Sequence, residues 1–235
     1  GAARTVRALE GDRSPAGDFL AGLLRLRWER AVEGLLRAFR FAPDDETSRG
    51  ARDGLLSNEE TARESAVRVL GASAAPVIAA RLLAAQRQVA GGEGAPATLA
   101  GWLRAHLSGP APYVRAAALY ALDERGTADD ETVRRLSADE HPLVRETALC
   151  LAGRAAGPAP GPKGLSTLET MIALRAVPVF SSLAPEDLAE LARSSNEREY
   201  APGEPLCLEG HAGNEVFLLL TGEVKVLRRE GAEQK

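Results

Sequence analysis

The chain has 235 residues, of which 45% are hydrophobic and 26% charged, as in ordinary globular proteins. Its net charge is −4, and neither residues 1–164 (22 Lys and Arg against 21 Asp and Glu) nor residues 165–235 (7 against 12) carry the basic excess of a nucleic-acid-binding protein. No apolar run reaches the ~20 residues that cross a bilayer, and the start lacks a signal-peptide pattern, so we predict a cytoplasmic chain with no membrane segment of its own.

The front two-thirds of the chain has helical periodicity. Ser14 and Pro15 form a helix start, and apolar residues then recur at helical spacing as far as Pro43. A capping-box pattern at residues 57–60 predicts another helix start. These signals predict a mostly helical domain over residues 1–156.

A 30-residue repeat lies within this domain. Its two best copies are Ala111-Pro-Tyr-Val-Arg-Ala-Ala-Ala-Leu119 and His141-Pro-Leu-Val-Arg-Glu-Thr-Ala-Leu149, and residues 60–67 form a weaker copy. Repeated helix pairs indicate an α-solenoid, with an irregular helical bundle as the alternative. Because Leu119 and Leu149 are equivalent, we expect both to be buried. The repeated helix start resembles HEAT repeats, which implies a helical surface that binds a protein partner.

A linker and a short helical segment follow the repeats. Residues 157–164 contain three prolines and three glycines, a composition that ends helices and predicts a semi-rigid linker. The mostly apolar residues 174–180 then precede a helix opened by Pro185, with Glu186 and Asp187 in its first turn.

Beyond that helix the pattern changes to short apolar runs separated by glycines. The runs are Leu206–Leu208, Val216–Leu220 and Val224–Leu227, and the glycines are Gly203, Gly210, Gly213 and Gly222. Runs of this length between glycine turns predict compact antiparallel β-structure.

The order of anchor, helix, runs and glycines over residues 172–229 resembles the first half of the cyclic nucleotide-binding domain family. The resemblance implies a partial antiparallel β-barrel, an incomplete jelly roll, over residues 165–235. It also implies that Cys207 and Val226 face the nucleotide pocket. In that family a glycine-glutamate turn, a short helix and an arginine then hold the phosphate, and no such cassette follows Leu227. We therefore expect no cofactor in this chain, and cAMP or cGMP in a full-length protein.

Catalytic and metal-binding constellations are not apparent in the sequence. The histidines at 106, 141 and 211 are scattered, whereas metal sites need clustered ligands. The two cysteines, Cys150 and Cys207, are expected to be small core residues. Acidic pairs such as Asp129-Asp130 stand where helices begin, so capping is the expected role. We predict no enzyme activity, no catalytic residue and no metal site.

These observations lead to a prediction of a non-enzymatic regulatory piece of a longer protein, in which a cyclic nucleotide-sensing barrel is coupled to a helical-repeat interaction surface. The combination resembles the cytoplasmic tail of bacterial nucleotide-transporter-like proteins, which implies attachment to a membrane domain in the full-length protein. Two alternatives stay open. One is a protein–protein scaffold with a degenerate barrel, and the other is part of a transcription regulator of the catabolite-activator type.

Overall fold

A computed structural model describes Leu9 and residues 14–38, 46–57, 59–73, 98–155, 164–211 and 213–227. The chain divides into two compact units, Gly1–Pro160 and Gly161–Lys235, and the boundary falls within the stretch predicted as a linker. Residues 157–163 of that stretch lie outside the described residues, as do Pro43 and the chain after Leu227.

The described part of the first unit is helical. Its helices are α1 (Pro15–Ala38), α2 (Glu46–Leu56), α3 (Glu60–Ser73), α4 (Leu99–His106), α5 (Pro112–Glu124), α6 (Asp130–Leu136) and α7 (Pro142–Ala155).

The helix starts follow the capping signals in the sequence. The Ser14 hydroxyl accepts a hydrogen bond from Gly17 N–H at 3.0 Å, and α1 begins at Pro15 as predicted. The Asp129 carboxylate caps α6 by accepting from Thr132 N–H at 2.8 Å, which is the capping role predicted for this acidic pair. Each of these bonds satisfies an amide that the helix itself leaves unpaired.

Helices α1, α2 and α3 share one apolar core. It consists of side chains from the second half of α1 and the facing sides of the other two helices: Val32, Leu36, Ala51, Leu55, Ala66, Val67 and Leu70. Helices α2 and α3 approach closely at Gly54, where an added Cβ would lie 2.7 Å from the Cβ of Ala66. The absence of a side chain at Gly54 therefore sets how near these two helices lie.

The best copies of the sequence repeat form two helix pairs, α4–α5 and α6–α7. The Tyr113 ring, at the start of α5, lies 5.5 Å from the His141 ring, next to the start of α7. The guanidinium of Arg154, at the end of α7, lies 5.6 Å from the Tyr120 ring further along α5. The first turns of the two helices therefore lie close together, and so do their later turns. Helices α5 and α7 run parallel, as equivalent helices of an α-solenoid do. The helical part of the chain fits an α-solenoid.

The expectation that both repeat leucines are buried is half wrong. Leu119 is fully buried, whereas Leu149 is 55% exposed. Helix α5 packs against α1, α4 and α7, whereas the main neighbours of α7 among the described helices are α5 and α6. A repeat position is buried only where another helix covers it, and no described helix of this unit covers Leu149.

The described part of the second unit begins with two further helices. They are α8 (Thr167–Arg175) and α9 (Pro185–Ser194), joined by a 3₁₀ turn at Pro178–Phe180. Helix α9 starts at the predicted Pro185, and its buried side chains pack against α8. A reciprocal capping box opens α8: Ser166 N–H donates to the Glu169 carboxylate at 2.8 Å, and Glu169 N–H donates to the Ser166 hydroxyl.

The prediction of a partial β-barrel over residues 165–235 is wrong. The structure contains no strand among the described residues of 195–227, which are extended or turning and lie largely in solvent. Val216 is 86% exposed and Val226 97%. A strand is stable only when its backbone groups pair with a neighbour and its apolar face packs on a second layer. Apolar runs and glycines alone supply neither.

Candidate functional site

The residues predicted to line a nucleotide pocket lie on the extended segment that follows α9. Cys207 and Val226 are both exposed, so the cysteine is not the core residue that the sequence predicts, and Cys150 is half-buried. Gly203, Gly210 and Gly222 have φ of 84°, 87° and 90°, where glycine is favoured. Gly213 is not among the glycines with positive φ. The turns therefore form at three of the four predicted glycines, and pocket lining by Cys207 and Val226 stays a prediction.

Two parts of this extended segment lie side by side. Arg198 binds Glu215 at 3.2 Å, and the rings of Tyr200 and Phe217 lie 6.5 Å apart, edge to face. The second contact lies two residues after the first in both stretches of the chain, so the two stretches run parallel. Both partners of the ion pair are about half exposed, and such pairs contribute little to stability.

A repeated arginine organises the first unit. Arg63, Arg115 and Arg145 are each the fourth residue of α3, α5 and α7. In all three, Nη1 donates to the backbone carbonyl six residues earlier, at 2.8 Å: the acceptors are Ser57, Gly109 and Asp139. The bond fastens each helix to the loop that leads into it. The weak copy at residues 60–67 therefore has the same local geometry as the two strong copies.

Arg115 also makes a second connection, to the next repeat. Its Nε and Nη2 donate to Oδ2 and Oδ1 of Asp139, at 3.1 and 2.8 Å, and the two side chains are 16% and 12% exposed. Burial alone would raise the pKa of Asp139, but hydrogen bonds from Arg115 and from His141 N–H outweigh it and hold that pKa below its ordinary value. The carboxylate is therefore charged and stays bound to Arg115 at neutral pH.

The face of α5 that carries Arg115 is buried, and its arginine binds the repeat that follows. Ala116 and Leu119 lie one and four residues after Arg115, on the same side of the helix, and both are fully buried. The equivalent face of α7 consists of Arg145, Glu146, Leu149 and Gly153, which we call the open face. Leu149 is more than half exposed, and a Cβ added to Gly153 would meet no atom within 4 Å.

Arg145 differs from Arg115 in its partners. Among the described residues, its guanidinium has only carbonyl acceptors, those of Asp139 at 2.8 Å and Glu140 at 3.5 Å. In the part of the chain that the structure describes, no carboxylate lies beside Arg145 as Asp139 lies beside Arg115. The open face therefore pairs an uncovered leucine with an arginine whose repeat equivalent binds an acid.

Sequence reasoning found the repeated arginine but missed its function, because it used the motif only to set the register. The signal was present: an arginine at the same helix position in each copy, and an aspartate six residues before the last one. The open face had no such signal, since Leu119 and Leu149 occupy identical positions in the pattern.

The described residues contain no group of three or more His, Cys, Asp or Glu side chains placed to hold a metal ion. No helix within the described ranges is both long and apolar enough to pass through a lipid bilayer.

The chain was compared with protein-family models, with curated proteins and with solved structures. It has no significant match in any of the three comparisons.

Proposed function

We propose that this chain is a protein-binding scaffold in which the helical repeats present the open face of α7 to a partner polypeptide. One observation carries the proposal: the same repeat position is fully buried at Leu119 and 55% exposed at Leu149. A leucine that extends from a well-packed repeat array into solvent, beside an arginine, has the composition of a protein-binding surface.

This proposal corresponds to the scaffold alternative, in which the barrel has no ligand role. The described residues 195–227 form no barrel that could enclose a nucleotide, whereas the repeats are compact and have a defined face. Binding of cAMP or cGMP, and its coupling to the repeats in a longer protein, stays a prediction that this geometry does not favour.

Site-specific photo-crosslinking tests the proposal. A photoreactive amino acid replaces Leu149 in the full chain, in cells that express it, and a matched variant carries the same group at Val69. Val69 is 40% exposed on α3, so it is a control for a moderately exposed apolar side chain outside the open face. We expect a discrete protein adduct from position 149 that is absent from position 69. The same adducts at both positions, or none at 149, would contradict the scaffold function.

A further inference from the structure

The α5–α7 contact supplies a template for what binds the open face. In that contact, α7 lies parallel to α5, and the Asp139 carboxylate, three residues before the first residue of α7, binds Arg115. Behind the aspartate follow the buried side chains of α7, which packs against both α5 and α6: Leu143, Val144, Thr147, Ala148 and Leu151. The covering element is therefore an amphipathic helix preceded by an acid.

The open face repeats the arginine and the leucine of the surface that this element covers. Arg145 stands where Arg115 stands, already held by the carbonyl of Asp139 as Arg115 is held by Gly109. Leu149 stands where Leu119 stands. The guanidinium is thus oriented before any partner arrives, and an oriented arginine loses less conformational freedom on binding a carboxylate.

We propose that the open face binds an amphipathic helix of a partner polypeptide, parallel to α7, with an aspartate or glutamate about three residues before the helix that binds Arg145. This inference rests on the proposed scaffold function and names the chemistry of its partner. If the partner matches α7, its apolar residues lie four and five positions after the acid in its sequence, and small residues lie eight and nine positions after it. A further apolar residue lies twelve positions after the acid.

The test uses a synthetic peptide of residues 137–155 of this chain, with Cys150→Ser, labelled for fluorescence anisotropy and titrated with the full chain. This peptide carries the acid and the stripe of the template. We expect saturable binding that Leu149→Glu in the protein weakens by at least about tenfold, since a buried charge replaces an apolar anchor. Val69→Glu is the control and leaves the affinity unchanged.

A charge exchange tests the register. Arg145→Glu in the protein is expected to weaken binding of the peptide by about tenfold or more. Asp139→Arg in the peptide is expected to restore binding to that variant. The helical circular-dichroism signal is recorded for every variant. If Arg145→Glu loses that signal, the Leu149→Glu and Val69→Glu arms still decide the proposal, because both residues are exposed.

The outcomes separate this inference from the scaffold function. Absent binding, binding insensitive to Leu149→Glu, or no rescue by the exchanged charge would overturn the partner assignment. Self-association of the full chain that Leu149→Glu abolishes would overturn it in favour of a second copy. If crosslinks form at position 149 while the peptide fails to bind, the scaffold function stands and only the partner chemistry is wrong.

Discussion

Arg115 and Asp139 join consecutive repeats through two parallel hydrogen bonds, 3.1 Å from Nε to Oδ2 and 2.8 Å from Nη2 to Oδ1. The remaining nitrogen, Nη1, holds the carbonyl of Gly109 in the loop before α5. One side chain thus ties its own helix, the preceding loop and the next repeat together. Because the two side chains are nearly buried, water solvates their charges poorly. The hydrogen bonds between them compensate for that lost solvation.

Breaking this pair should destabilise the first unit. We expect Arg115→Met to lower the free energy of unfolding by about 2–4 kcal/mol, because it leaves the Asp139 carboxylate partly buried without its cation. Arg37→Met is the control: its ion pair with Glu33 is exposed on α1, and its loss should cost about 0–1 kcal/mol. Urea unfolding followed by circular dichroism measures both variants. Equal losses of unfolding free energy in the two variants would show that the buried pair stabilises the unit no more than an exposed pair does.

The same carboxylate should make stability depend on pH. Because the pKa of folded Asp139 is lowered, its contribution is fully present above the unfolded pKa of about 3.9 and is lost as the pH falls through the folded pKa. We therefore expect the stability advantage of the native chain over Asp139→Asn to be constant from about pH 7 to pH 5 and to shrink below about pH 4. Unfolding free energies across that range test this. An advantage that grew on acidification would have the wrong sign.

The two repeat leucines should respond differently to truncation. Leu119→Ala is expected to cost about 2–5 kcal/mol, because it leaves a cavity where the side chain is fully buried. Leu149→Ala should cost less than about 1 kcal/mol, because its side chain already meets solvent. Thermal and urea melts of the two variants give the comparison. A large loss at Leu149 would mean that a neighbour covers it in solution.

Local signals in the sequence predicted local structure well. Ser14 and Asp129 cap helices because a short polar side chain reaches the free amides of the first turn, whatever lies elsewhere in the chain. Gly203 and Gly222 have left-handed backbone for a similar reason, since only the turn itself demands it. The register of the repeat was also readable, because identical spacing at Arg115 and Arg145 produces identical bonds.

Features that depend on contacts with distant parts of the chain could not be predicted from the sequence pattern. Leu149 has the same sequence context as Leu119, but its burial is decided by whether another helix follows. The runs at residues 216–220 and 224–227 have the composition of strands, but a strand forms only with a paired backbone beside it. The pairing of Arg115 with Asp139 joins residues 24 apart, and it becomes visible only once α5 and α7 lie parallel.

Two glycines of α2, Gly50 and Gly54, lie one turn apart and should respond in opposite ways to alanine. An alanine Cβ at Gly54 would lie 2.7 Å from the Cβ of Ala66, closer than real contacts allow, and 3.0 Å from the backbone oxygen of Ala62. At Gly50 it would meet nothing within 4 Å. We expect Gly50→Ala to stabilise the first unit by about 0.5–1 kcal/mol through helix propensity.

Gly54→Ala gains the same propensity but has to push α2 away from α3. Overpacking of this kind costs about 1–3 kcal/mol, so the net change should be destabilising. Urea unfolding of the two single variants measures the difference, and because the substitution and the helix are the same, its sign isolates the helix–helix contact. Equal stabilisation of both variants would mean that α2 and α3 lie further apart in solution than the close approach of Gly54 to Ala66 implies.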